Sequence, residues 1–291
     1  MPEMPAEKYT FLHELTRGMC FIRKFQIAFL KEVAGGMAFL KNLFGGRSIS
    51  DAEQARRQGT RYISAKSVAE MSEKEKREYW RHSRELPDME ERMRRMTELA
   101  DAGFISAYTT IFDTLFARAE TANSKVPLEQ LEYWAGRAAK AGHINGHFYL
   151  GLVYETPEYL QKDYETYMSK SLQEYLLAME MENENAPQRL EKLWNYEFTS
   201  SQYSAEESRQ AQAFFREQMK AWLEPELKRL REQDDEEACC AFGQMYLYGI
   251  LYEQDLAKAR HYFKRLADAG REFGTRMLAN PLFDEEDEDE E

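Results

Sequence analysis

The chain has 291 residues, 43% of them hydrophobic, 31% charged and only eight proline. That much apolar material excludes a disordered chain, and the Glu-, Arg-, Leu-, Ala- and Met-rich balance favours helices over strands. A formal net charge of −13 excludes the basic field that nucleic-acid binding requires.

The start, MPEMPAEKYTFLHEL, lacks the basic region, apolar run and small-residue cleavage site of a signal peptide. Three cysteines, Cys20, Cys239 and Cys240, make no even disulfide framework. Both features point to a reducing, cytoplasmic location. The most apolar stretch, residues 19–44, is broken by Arg23, Lys24, Lys31, Glu32 and Lys41, so it is too interrupted to span a bilayer. Phe11, Leu15, Met19, Ile22, Phe25 and Phe29 fall on one helical stripe. This is the pattern of a capping helix's core face. The excess of basic over acidic residues from Phe11 to Ser50 also keeps open a membrane-surface contact through residues 11–44. GGRSIS (45–50) has neither the spacing nor the lysine of a phosphate loop.

From about residue 85 the chain repeats itself. LADAG at 99–103 returns as AAKAG at 138–142 and as LADAG at 266–270. Gly103 and Gly142 are 39 residues apart, and Gly270 lies 128 beyond Gly142, close to three more units. Periods of this size indicate stacked helical hairpins. A second element, YLGLVY (149–154) and AFGQMY (241–246), aligns Gly151 with Gly243 and Tyr154 with Tyr246. A glycine inside a helix costs about 1 kcal/mol relative to alanine, so Gly151 and Gly243 predict close approach of a neighbouring helix. After Tyr246, Gly249 ends one helix and Asp255 caps the next, whose buried face includes Ala259, Tyr262, Phe263 and Leu266.

Between these units the pattern is looser. Glu182 stands where a closing glycine is expected. Residues 183–234 read as an enlarged hairpin, with a capping box from Ser204 to Glu207 and an interruption near Pro225. The terminal DEEDEDEE (284–291) reads as a solvated, disordered acidic tail that leaves the rest only mildly acidic.

Gly243, Tyr246, Gly249, Asp255, Lys258, Ala259, Tyr262, Ala267 and Gly270 together make residues 235–270 resemble the Sel-1-like repeat, a relative of the tetratricopeptide repeat. The resemblance implies an all-α, right-handed superhelix of stacked antiparallel helix pairs over 85–283, an α-solenoid with an N-terminal helical cap in 1–84. It further implies a scaffold or adaptor role. Bacterial members of the family also include immunity partners of secreted toxins.

Candidate chemistry is sparse. His143 and His147 in HINGH are four apart, a two-histidine metal geometry, but no third ligand is evident. Cys239 and Cys240 fall at small-residue positions of a repeat helix, where inert buried thiols are expected. No Gly-x-Ser-x-Gly elbow occurs, and no carboxylate pair stands out among 52 acidic residues. The expectation is a non-enzymatic protein without metal or cofactor that binds one specific protein. A toxin or enzyme that it neutralises comes first, and the acidic balance suits a basic one such as a nuclease. The alternatives are an adaptor in a secretion or envelope assembly and, more weakly, a hydrolase with an unrecognised site. Trp194, Tyr196, Tyr248 and Tyr252, aromatics at the less repeat-like positions, are the candidate partner contacts.

Overall fold

The computed structural model describes residues 67–119, 126–196 and 205–283, the side chain of Glu207 excepted. The apolar stripe of residues 11–29, the membrane-surface stretch 11–44, Cys20, the 45–50 loop, the Ser204–Glu207 capping box and the 284–291 tail lie outside them.

The described residues form twelve α-helices and no strand: α1 (Glu73–Arg84), α2 (Met89–Asp101), α3 (Ile105–Ala119), α4 (Leu128–Lys140), α5 (Gly146–Tyr154), α6 (Pro157–Lys162), α7 (Tyr164–Glu180), α8 (Asn185–Trp194), α9 (Ala205–Gln233), α10 (Glu236–Tyr248), α11 (Leu256–Asp268) and α12 (Glu272–Leu278). Side chains set several starts. Ser72 and Glu75 make a capping box before α1, and the carboxylates of Asp88, Asp163, Asp235 and Asp255 accept backbone N–H groups at the heads of α2, α7, α10 and α11. Helices adjacent in sequence pack on one another from α1 to α5, α7 follows α5, and α10, α11 and α12 complete the series. This is an all-α, solenoid-like stack.

The register of the stack is visible in its backbone. Gly103, Gly142, Glu182, Asp234 and Gly270, at the ends of α2, α4, α7, α9 and α11, all have positive φ, between 45° and 82°. At four of these ends the next N–H reaches back to a carbonyl of the last turn: Phe104 to Leu99, His143 to Ala138, Asn183 to Ala178 and Arg271 to Leu266, all at 2.9–3.0 Å. Four residues after each closing position stands a small buried residue: Ala107, Gly146, Ala186, Ala238 and Gly274. Its size is dictated by the helix before it. A Cβ on Gly146 would come within 2.2 Å of the Ala139 nitrogen, and one on Gly274 within 2.5 Å of the Ala267 nitrogen.

The closing residues divide the chain into the pairs α1–α2, α3–α4, α5–α7, α8–α9 and α10–α11, with α12 and Phe283 covering the last. The first helix of the first pair is therefore α1, whose polar sequence carries no glycine signature. Residues 183–234 hold the α8–α9 pair. Arginines five residues before the closing position tie successive pairs together: Arg137 to Asp101 (2.9 Å), Arg229 to Glu180 (2.6 Å) and Arg265 to Asp234 (2.7 Å). In α7 that position is Leu177.

Pro225 does not interrupt its hairpin, contrary to expectation. Helix α9 runs unbroken from Ala205 to Gln233 with Pro225 inside it. Met219, Leu223, Leu227 and Leu230 on either side are buried, whereas Pro225 is exposed. The buried residues on both sides of the proline keep the two halves in one continuous helix and offset the ~3 kcal/mol that an internal proline costs.

Candidate binding surface

Twelve residues after three successive closing positions stand Tyr154, Trp194 and Tyr246, where the α3–α4 pair has Leu115. Equivalent positions of stacked units fall along one edge of the stack. Each of the three rings is covered by a cation from the second helix of its own pair: Lys170 Nζ 5.5 Å from the Tyr154 centroid, Arg216 and Lys220 5.0 and 5.7 Å from Trp194, and Lys258 5.1 Å from Tyr246. Lys170 and Lys258 occupy one register position, twelve residues before Glu182 and Gly270. Such contacts contribute about 0.5–1 kcal/mol at exposed sites.

Further aromatics gather at two of these points. Tyr159 and Tyr167 lie 5.9 Å from Tyr154 and 4.5 Å from each other. The Tyr154 hydroxyl donates to Glu132 of α4 at 3.0 Å, and the Tyr159 hydroxyl donates to the same carboxylate. Burial first, and Glu132 second, push both phenols well above their ordinary range. At the other point Tyr246 stacks on Tyr252 at 5.0 Å and lies nearly parallel to Tyr262 at 6.0 Å, and Phe242 extends the ladder from Tyr262.

The four aromatics singled out from sequence have different surroundings. Trp194 is only 8% exposed. It occupies the regular aromatic position of the repeat, so packing accounts for it, and Arg216 also donates to its carbonyl at 2.9 Å. Tyr196, just beyond α8, is half-buried against the core. Tyr248 is half-buried, and burial, then the Glu191 and Glu184 charges of the preceding pair, raise its phenol. Tyr252 belongs to the Tyr246 ladder and accepts from Arg231 Nη2 at 2.9 Å. Sequence reasoning missed the Tyr154–Tyr159–Tyr167 group. The alignment of Tyr154 with Tyr246 was its available signal.

The other candidate groups have structural surroundings. His143 Nδ1 accepts from the Asn145 N–H at 3.0 Å, and burial holds its imidazole below the ordinary histidine range. His147 Nδ1 lies 2.7 Å from Glu174. No group of three or more His, Cys, Asp or Glu side chains is arranged to hold a metal among the described residues. Cys239 and Cys240 are buried, and burial raises both thiols. No described helix is long and apolar enough to cross a membrane. No protein-family model matches the chain, and neither a curated protein nor a solved structure is similar to it.

Proposed function

We propose that this is a protein-binding repeat module of the Sel-1-like kind, without catalytic activity of its own, which engages one specific protein along the edge carrying Tyr154, Trp194 and Tyr246. The observation that carries the reading is the recurrence of an aromatic ring under a cation at one register position in three successive pairs. A linear partner can follow a feature that repeats with the stack, and aromatics and arginine dominate interface energies. Neutralisation of a cytoplasmic toxin or enzyme is the role we favour. The net charge of −13 draws a basic target toward the chain as a whole through electrostatic steering, while the cations of the edge, Lys170, Arg216, Lys220 and Lys258, suit an acidic segment of that target.

The test is affinity capture from the native cell with the full chain and with a Lys170→Glu/Arg216→Glu/Lys258→Glu variant, followed by mass spectrometry. One stoichiometric partner retained by the wild type and lost by the folded variant supports the reading, and a basic toxin or nuclease supports neutralisation. Several components of one secretion or envelope assembly would favour an adaptor instead. Substrate turnover by the isolated protein, or a partner retained equally by the variant, refutes the proposal.

A further inference from the structure

Two consecutive boundaries in the stack are built on one plan and differ in one group. Seven residues after a closing position, a side chain reaches back to a carboxylate on the first helix, or its cap, of the pair before. At the boundary between α5–α7 and α8–α9 the donor is Arg189, whose Nε lies 2.8 Å from Glu155 Oε2 and whose Nη2 bonds the other oxygen. The Tyr175 hydroxyl donates to the same carboxylate at 2.7 Å. Glu155 is 2% exposed and fully compensated. At the boundary between α3–α4 and α5–α7 the donor is Tyr149, whose hydroxyl lies 2.8 Å from Asp113 Oδ1. A phenol brings no charge. The same boundary lacks the bridging arginine, because Leu177 stands in its place.

We propose that the boundary between the second and third helix pairs is an acid-tightened joint, in which protonation of Asp113 replaces an uncompensated, half-buried carboxylate with a neutral carboxyl that keeps its hydrogen bond to Tyr149. His143, in the turn between α4 and α5, is kept below the ordinary histidine range by burial with its Nδ1 accepting from the Asn145 N–H, so its protonation on acidification acts against the tightening at the head of α5. The other ionisable groups named at this boundary are committed elsewhere. Asp101 of α2 is paired with Arg137 of α4, Glu132 of α4 accepts from Tyr154 and Tyr159, and His147 of α5 contacts Glu174 of α7. The Tyr149 ring is stacked on Phe112 at 4.1 Å, so the hydroxyl is held where it can serve either form of Asp113. Burial pushes the Asp113 carboxyl up to about 6, while the Tyr149 hydroxyl bond acts the other way.

The sign follows from linkage. A carboxyl whose folded pKa is raised binds its proton more tightly in the folded than in the unfolded chain. Its stabilising contribution is complete below its unfolded value near 4 and is lost as the pH rises through about 6. The joint is therefore tight at pH 5 and looser at pH 7.5. This is independent of whether the aromatic edge binds a partner.

Amide hydrogen exchange on the full chain, corrected for intrinsic rates, tests this at pH 5 and pH 7.5. In the wild type, protection of α3 and α5 relative to α11 should rise on acidification, by up to about tenfold. Asp113→Asn keeps the shape and removes this titration, so its ratio should already be high at pH 7.5 and should not rise on acidification. Tyr149→Phe keeps the ring stack and removes the bond that favours the carboxylate, so its transition should move to higher pH. A wild-type ratio that does not change, an Asp113→Asn response equal to the wild type, or a Tyr149→Phe transition that stays in place overturns the proposal.

Discussion

Gly151 lies so close to Tyr175 that a Cβ on it would fall 2.4 Å from the ring carbon Cε1, and Gly243 stands in the same relation to Phe263 at 2.7 Å. Tyr175 and Phe263 share a register position, seven residues before the closing residue, and both are fully buried. In the α3–α4 pair the bulk is exchanged, with Phe112 at the glycine's position and Ala135 at the aromatic's.

Gly151→Ala and Gly243→Ala should therefore each destabilise the protein by about 1–3 kcal/mol, although alanine is the better helix former, because overpacking at a fixed crossing outweighs propensity. Urea denaturation measures this. Unchanged midpoints for both variants would show that the crossings open without strain.

Substitutions at the closing positions should split by sign. Glu182 has φ 64°, a conformation that costs a side chain about 1–2 kcal/mol and glycine almost nothing. Its ion pair with Arg271 is partly exposed and contributes about 0.2–1 kcal/mol. Glu182→Gly should raise the melting temperature, whereas Gly142→Ala, at φ 73° with open space around it, should lower it. Shifts in the same direction would contradict the backbone argument.

The Glu155–Arg189 pair should behave as a buried ion pair. Arg189→Met leaves the Glu155 carboxylate buried with the Tyr175 hydroxyl alone, at an expected cost of about 3–5 kcal/mol. Replacing Glu155 with Leu in the same chain should recover much of that loss. A double-mutant cycle with no coupling would show that the pair does not hold α8 against α5.

Cys239 and Cys240 should resist alkylation in the folded protein. Both are at most 2% exposed, and the Cys240 Sγ lies 3.1 Å from the Met179 carbonyl. Peptide mass mapping after brief iodoacetamide treatment should find them labelled only in denaturant. Rapid labelling under native conditions would mean that α10 opens locally.

The stack was legible in the sequence wherever glycine marked a special backbone. Gly103, Gly142 and Gly270 advertise helix ends, Gly249 and Asp255 advertise the α10–α11 turn, and Gly151 and Gly243 advertise close crossings. Glu182 and Asp234 adopt the same left-handed conformation without the residue type that announces it. The division of residues 143–270 into three pairs was therefore only approximate. The candidate surface was half legible: Tyr252 was found through its turn, whereas Tyr159 and Tyr167 look like ordinary helix aromatics until the fold sets them beside Tyr154.

Local rules, namely helix propensity, capping and the steric freedom of glycine, determined from sequence alone that this chain is all-α and built of repeating hairpins. Tertiary packing decided what local rules leave open. It kept α9 continuous through Pro225, where buried leucines lie on both sides of the proline. It placed Trp194 in the repeat's aromatic position under Arg216. It gave Glu155 an arginine and Asp113 only a phenol, a difference of charge compensation between residues more than thirty positions apart, which no local pattern encodes.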